Sequence, residues 1–274
     1  MHEMSGEAQK YALRSLSLFV GTGECNGNCR HCAGKIHRKY APEEDGIINS
    51  VLIGKTLREC YAQGARYLSI SSSGEPTLSP ISVTKTLEIV NGLITDKITY
   101  SPINLYSNGI RIGEDEIFCA EYLSKWKKLG LKWIYLTVHD TDELRNAQVY
   151  RVKKYPKLET IVGRIHQNDL LVRANIVLSK DNIATLERFI FMAEDLKRWG
   201  FDSMSAWPIR GDDDKINIRL APSQVELEKI ERWVVDQGER FGIRLLTEKN
   251  RDAYEKGEKL TLFPDGTLSN SWCN

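Results

Sequence analysis

No stretch of these 274 residues approaches the ~18 consecutive apolar residues of a membrane-spanning helix. The N-terminus, MHEMSGEAQKYALRS, lacks the charged-then-apolar layout of a secretory signal. The expectation is a cytoplasmic protein with no membrane partner. Net charge is also missing: 38 basic residues against 37 acidic ones leave +1, so composition supplies no field to draw in nucleic acid. Six cysteines are too few for a disulfide scaffold, and a cytosolic chain keeps its thiols reduced. Repeats, low-complexity tracts and linkers are absent. What is there, 41% hydrophobic and 27% charged residues, is the composition of a folded globular chain able to bury a large core.

Short β-like runs recur at residues 15–20, 67–71, 103–106, 133–138, 171–178 and 202–208. Between them, 51–62, 83–94, 115–129 and 183–199 carry helical spacing; in the last, Leu186, Phe189, Ile190 and Ala193 share one face. Gly64, Gly92, Gly130 and Gly200 stand where helix stop signals belong. Strands alternating with helices imply parallel β-α units, because parallel neighbours need a long crossover. That leaves a barrel or an open doubly wound sheet, and in both the chemistry gathers at the C-terminal ends of the strands. After Pro208 the texture changes to an acidic turn, Arg210-Gly211-Asp212-Asp213-Asp214. A helix follows over about 223–241 with Ser223 as its N-cap, then two β-like pieces, 260–263 and 267–269, around Pro264-Asp265-Gly266.

Three cysteines crowd into eight residues directly after the first strand: Cys25-Asn26-Gly27-Asn28-Cys29-Arg30-His31-Cys32, spacing C-x3-C-x2-C. Thiolates suit zinc or iron-sulfur centres. Structural zinc sites usually close four ligands with paired knuckles, and no second pair exists here. Three thiolates on a 4Fe-4S cluster would leave one iron open for a substrate or cofactor.

This motif resembles the signature of the radical S-adenosylmethionine (radical SAM) superfamily. Further landmarks fall at strand ends in the family's order. Ser73-Gly74-Glu75-Pro76 is similar to the family's Gly-Gly-Glu-Pro stretch, with Ser73 in place of the first glycine. Ser107-Asn108-Gly109 resembles its third-strand corner, Thr137 (with His139 a weaker match) its fourth-strand polar residue, Asn175 its fifth-strand ribose contact, and Trp207-Pro208 the end of the sixth strand beside the adenine. The resemblance implies an α/β fold, a partial (β/α)6 TIM-like barrel with parallel strands and a short C-terminal extension. Its units would be an N-terminal extension over 1–14, the barrel over 15–210, and a helix and β-hairpin over 211–274, placed at the barrel mouth. It implies that Cys25, Cys29 and Cys32 ligate a 4Fe-4S cluster, and that Ser73, Gly74, Glu75, Pro76, Ser107, Asn108, Thr137, Asn175 and His31 line S-adenosylmethionine, His31 packing by the adenine. Reductive cleavage would then yield methionine and a 5'-deoxyadenosyl radical, with a flavodoxin or ferredoxin as low-potential electron donor.

For Cys273 three readings compete: an inert tail thiol, a hydrogen-atom donor to a substrate radical, or a ligand to a second cluster. Cys60 and Cys119 fall on helices that face away from the site and suit small apolar packing. Lys35 reads as a surface lysine or as a charge screening the cluster. The leading expectation for the reaction is hydrogen abstraction from a peptide or small polar metabolite. The runner-up is an activating enzyme that installs a glycyl radical on a partner protein, against which Thr137-Val138-His139 stands where those enzymes usually show Asp-x-Lys. A non-enzymatic zinc or iron-sulfur binding module is the third reading, and it leaves the strand-end landmarks unexplained.

Overall fold

The first two β segments alternate polar with apolar residues, as in Ser15-Leu16-Ser17-Leu18 and Tyr67-Leu68-Ser69-Ile70, so each of these strands has one face for a core and one of different character. A computed structural model of the chain describes residues 13–29, 31–211, 215–245 and 256–270. In it β1 (Ser15–Phe19), β2 (Tyr67–Ser71), β3 (Ile103–Ser107), β4 (Leu131–Val138), β5 (Leu171–Leu178), β6 (Ser203–Pro208), β7 (Ile243–Leu245), β8 (Lys259–Leu262) and β9 (Leu268–Ser269) form one sheet. Their order is β7-β6-β5-β4-β3-β2-β1-β8-β9. Every pairing is parallel except β8 with β9. The sheet does not close, and the architecture is a partial barrel.

The crossovers carry α1 (Ser50–Ala62), α2 (Pro80–Gly92), α3 (Ile110–Glu114), α4 (Glu116–Phe118), α5 (Ser124–Lys128), α6 (Glu143–Tyr150), α7 (Leu158–His166), α8 (Leu186–Arg198) and α9 (Gln224–Phe241). Local chemistry sets their ends. Asn49, Asp115, Asp142, Thr185 and Ser223 each accept a backbone N–H from the first turn of the helix they cap. Gly64, Gly130 and Gly200 take positive φ just past α1, α5 and α8. Gly92 does not act as a stop. The chain continues through a 3-10 turn that buries Leu93, and Lys97 takes the left-handed position at φ 61°.

The six expected strands form, with ends shifted by one or two residues. Four elements were not expected: α3, which precedes the helical stretch expected from residue 115, and β7, α6 and α7. The strand β7 is short, and α6 and α7 fill the stretch between β4 and β5; α7 carries Leu158, Ile161, Val162 and Ile165 on one buried face. The expected hairpin forms as β8 and β9, and it extends the sheet edge beside β1 through Ser15↔Lys259 and Ser17↔Thr261. No helix among the described residues is long and apolar enough to cross a membrane.

Register carries the alternation across the sheet. Leu16, Leu68, Ile70, Leu105, Ile134, Leu136, Val172, Ala174 and Ile176 share the face buried under the helices. The opposite, inner face runs Ser17↔Ser69↔Asn104↔Trp133 in one row, Tyr106↔Tyr135↔Arg173↔Ser203 in the next, and Thr137↔Asn175↔Ser205 above it.

The helical layer holds a polar contact between two of its helices: fully buried Trp126 on α5 donates its indole N–H to Thr84 Oγ1 on α2 at 2.8 Å. Thr84→Val should strand that donor and cost about 1–3 kcal/mol of unfolding free energy, measured by urea titration.

Candidate active site

The loop after β1 turns back over the C-terminal ends of β1 to β3. At Gly21, φ 80°, an added Cβ would lie 2.4 Å from the Ser79 Cβ, so only glycine fits the turn. Ser79 Oγ accepts the Thr22 N–H at 3.1 Å. Beyond this turn Cys25, Cys29 and Cys32 are all half-buried. Burial, then the neighbouring Cys32 and Cys25, pushes the Cys29 thiol up to about 12, and burial raises Cys25 as well. Gly27 N–H points at Cys25 Sγ at 3.4 Å. Among the described residues no three His, Cys, Asp or Glu side chains converge on a single ion. A cubane cluster, which takes each thiolate on a separate iron, does not need such convergence, whereas one zinc ion does.

Glu75 organises the mouth. Its side chain is fully buried, and Oε1 accepts from Thr77 N at 3.1 Å, Thr77 Oγ1 at 2.8 Å and Ser107 Oγ at 2.8 Å, while Oε2 accepts from Asn108 N at 2.7 Å. Burial pushes its pKa up, and these donors pull against that shift. Its backbone N–H donates to Glu24 O at 2.7 Å, which docks the β2 loop onto the cysteine loop. The approach is close enough that a Cβ at Gly74 would lie 2.1 Å from Glu24 O. Neither Ser73 nor Gly74 has positive φ, so serine is unstrained where the family pattern has glycine.

Asn108 carries the connection onward. Its Nδ2 donates to Asn26 Oδ1 at 2.7 Å and lies 3.7 Å from Cys25 Sγ, its Oδ1 accepts from Ile110 N, and its carbonyl accepts the Tyr155 hydroxyl at 2.9 Å. Tyr155 stacks on Tyr150 with centroids 5.1 Å apart. Tyr150 in turn accepts Asn28 N–H on its carbonyl at 2.7 Å and donates its hydroxyl to Thr137 O at 2.9 Å. His139 packs edge-on against both Tyr150 and His31. Burial, with His31 adjacent, holds His139 down at about 3, so it is neutral.

The expected residues therefore gather at one mouth: the cysteine loop, Ser73 to Pro76, Ser107, Asn108 and His31 in direct or one-residue contact, with Thr137 and Asn175 side by side on β4 and β5. Two observations fit a bound polar cofactor. Asn175 is wholly buried and its Nδ2 has no partner among the described residues, while its Oδ1 accepts Arg173 Nε at 3.2 Å. The backbone around Gly74 forms a cradle that a side chain would fill. Cys60 and Cys119 are buried in helices, with burial pushing both thiols up to about 11. Lys35 reaches back to Asn28 Oδ1 and Cys29 O, bracing the loop. Cys273 and Asp212 to Asp214 lie outside the described residues. Sequence reasoning missed Tyr150, Tyr155 and Arg173. Arg173 was legible as a cation inside an otherwise apolar strand, whereas the tyrosines sit on a segment with no helical signal beyond the Asp142 cap.

Glu75→Gln would set an amide N–H against Asn108 N–H or Thr77 N–H. It should lower unfolding free energy by roughly 1–3 kcal/mol and reduce iron bound per chain after reconstitution, read by urea titration and iron analysis. For His139 the folded pKa is depressed, so its contribution is present above the ordinary value of about 6.5 and is lost as pH falls toward about 3. His139→Phe should accordingly gain stability relative to the parent as pH drops through that window; parallel urea midpoints would refute this.

Residues 19–193 match the Radical SAM superfamily. No curated protein matches the chain. Among solved structures, Streptococcus suis SuiB bound to precursor peptide SuiA aligns with TM-score 0.67 at 15% identity, over 95% of this chain and 60% of SuiB. Native anSMEcpe with bound AdoMet aligns with TM-score 0.60 at 13% identity, over 93% and 73%. A radical SAM methyltransferase from Sphaerobacter thermophilus gives 0.58 at 12%, over 93% and 69%. At such identities the likeness is one of fold, and this chain spans about 60% of the SuiB length. With more than half of its residues matched to the family, this chain belongs to the radical SAM superfamily, a family of enzymes that use a 4Fe-4S cluster and S-adenosylmethionine.

Proposed function

We propose that the enzyme abstracts hydrogen from a peptide or small polar metabolite held in the barrel. The observation that carries this reading is the inner face itself: apart from Trp133 its rows are serine, asparagine, tyrosine, threonine and arginine, where a filled barrel would carry branched apolar layers. A polar lining disposed around an open sheet suits a polar guest.

When bound, the cluster and S-adenosylmethionine supply a 5'-deoxyadenosyl radical by reductive cleavage, the electron coming from a flavodoxin or ferredoxin. Cys25, Cys29 and Cys32 would hold the cluster. The backbone of Ser73 to Pro76, His31, Thr137 and Asn175 would hold the cofactor. Ser107 and Asn108 are saturated by Glu75, Gly109, Ile110 and Asn26, so they would act by fixing the cysteine loop. One row deeper, the Arg173 guanidinium lies 3.7 Å over the Tyr135 ring and has no carboxylate partner among the described residues. Stacking and the Asn175 bond pre-set its plane, leaving its remaining N–H donors for a carbonyl or carboxylate of the guest. The peptide in the SuiB structure supports a peptide among the candidates. A cytoplasmic setting, which keeps thiols reduced, suits the cysteine loop.

Anaerobic reconstitution, reduction with dithionite and addition of S-adenosylmethionine should yield 5'-deoxyadenosine from the parent and none from Cys29→Ala. With a perdeuterated peptide and metabolite pool, the product should gain deuterium. A cluster-loaded parent that never yields deoxyadenosine with any pool would sink the reading.

A further inference from the structure

Between α6 and α7 the chain reads Arg151-Val152-Lys153-Lys154-Tyr155-Pro156-Lys157, four cations and no carboxylate in seven residues of a chain whose net charge is only +1. All four cations are exposed, while Tyr155 and Pro156 are buried and pin the segment down. None of the four is ion-paired among the described residues; Arg145, just upstream, is committed to the buried Asp140 at 3.5 Å. The segment is tied to the cysteine loop from two sides. Tyr150, immediately before it, accepts Asn28 N–H at 2.7 Å and would lie 3.1 Å from a Cβ at Gly27, and Tyr155 within it donates to Asn108, whose amide reaches Asn26. The nearest acidic side chains in sequence flank the segment: Asp142, engaged as the α6 cap, Glu143, and Glu159 on α7.

We propose that residues 151–157 form the docking face for a small acidic one-electron carrier of flavodoxin or ferredoxin type. This rests on the proposed function, which needs such a donor. The carrier loses one electron and the cluster held by Cys25, Cys29 and Cys32 gains it; no bond forms or breaks at the interface. An unpaired cationic loop beside the cysteine loop steers a negatively charged carrier to the site, and such steering raises association rates by about 10–10³-fold and weakens with salt. The polar inner face offers no comparable charge, and Lys35 is spent on Asn28 and Cys29.

The test compares Lys153→Glu/Lys154→Glu/Lys157→Glu with a control of equal charge change, Lys97→Glu/Lys128→Glu/Lys132→Glu, whose exposed side chains lie before β3, before β4 and at the start of β4, at the far end of the barrel. A bacterial flavodoxin is titrated against each full-length protein at rising salt, and deoxyadenosine is measured with reduced flavodoxin and, separately, with dithionite. The loop variant should lose about tenfold or more in flavodoxin affinity and in flavodoxin-driven turnover, keep dithionite-driven turnover within about twofold, and the control should match the parent. Equal affinity in loop variant and control, absence of flavodoxin binding by the parent, or an equal loss with dithionite would overturn the proposal. So would tighter binding of a single-stranded oligonucleotide lost in the same variant. Failure of the parent to turn over with dithionite would count against the proposed function alone, and the salt-dependent affinities would still decide the docking face.

Discussion

The mouth of this barrel depends on one buried carboxylate. Glu75 joins three chain segments: its own loop after β2, the corner after β3, and, through its backbone N–H, the cysteine loop after β1. A fully buried carboxylate is costly to desolvate, and four donated hydrogen bonds are what makes it tolerable. The same four donors fix the direction of Ser107 and Asn108, and Asn108 fixes Asn26 between the first two cysteines. The spacing of the cysteines is a local property of sequence; their placement is set by a side chain fifty residues away in the chain.

The inner face shows the opposite economy. Protein interiors normally leave few buried polar atoms without partners, yet Asn104 Oδ1 and Asn175 Nδ2 on the inner face, and His139 Nδ1 at its rim, are buried and without a partner among the described residues. Asn175 is also braced on its other atom by Arg173, so its amide is held in one direction and cannot rotate away to relieve the deficit. The inner-face cases lie where a ligand would sit; in the helical layer outside, Leu57, Leu87, Ile161 and Phe189 pack with no accessible surface, and Arg188 Nε on α8 is a further buried atom without a partner among the described residues.

Much of this was legible in the sequence because each signal was short-range. Strand alternation, the caps at Ser223 and the stop at Gly200, and the cysteine spacing each involve a handful of neighbouring residues. The longer-range features were not. Nothing in Glu143-Leu144-Arg145-Asn146-Ala147-Gln148-Val149-Tyr150 announces a helix that ends under the cysteine loop, because its surface is polar and its role is set by Tyr150 meeting Asn28 and Thr137. The segment 158–166 did carry a helical stripe and was readable. Gly92 misled because a glycine at a helix end stops it only when the next residue gains nothing by continuing, and here Leu93 is buried by the extra turn.

The cysteine loop is anchored by contacts that involve no metal. Glu24 O, Asn26, Asn28 N and Thr22 N are each bonded to the body of the protein, so protein contacts brace the backbone path of the loop. The thiols themselves are another matter. Burial and mutual proximity keep Cys29 protonated at neutral pH, since half-buried thiolates side by side would repel in a poorly solvated site. Binding iron must therefore displace protons that the fold holds firmly, and the positive charge of the metal supplies what the protein withholds. A loop braced in its backbone and reluctant in its thiols therefore binds a metal centre only as the protons leave, so loading of the three cysteines is tied to pH.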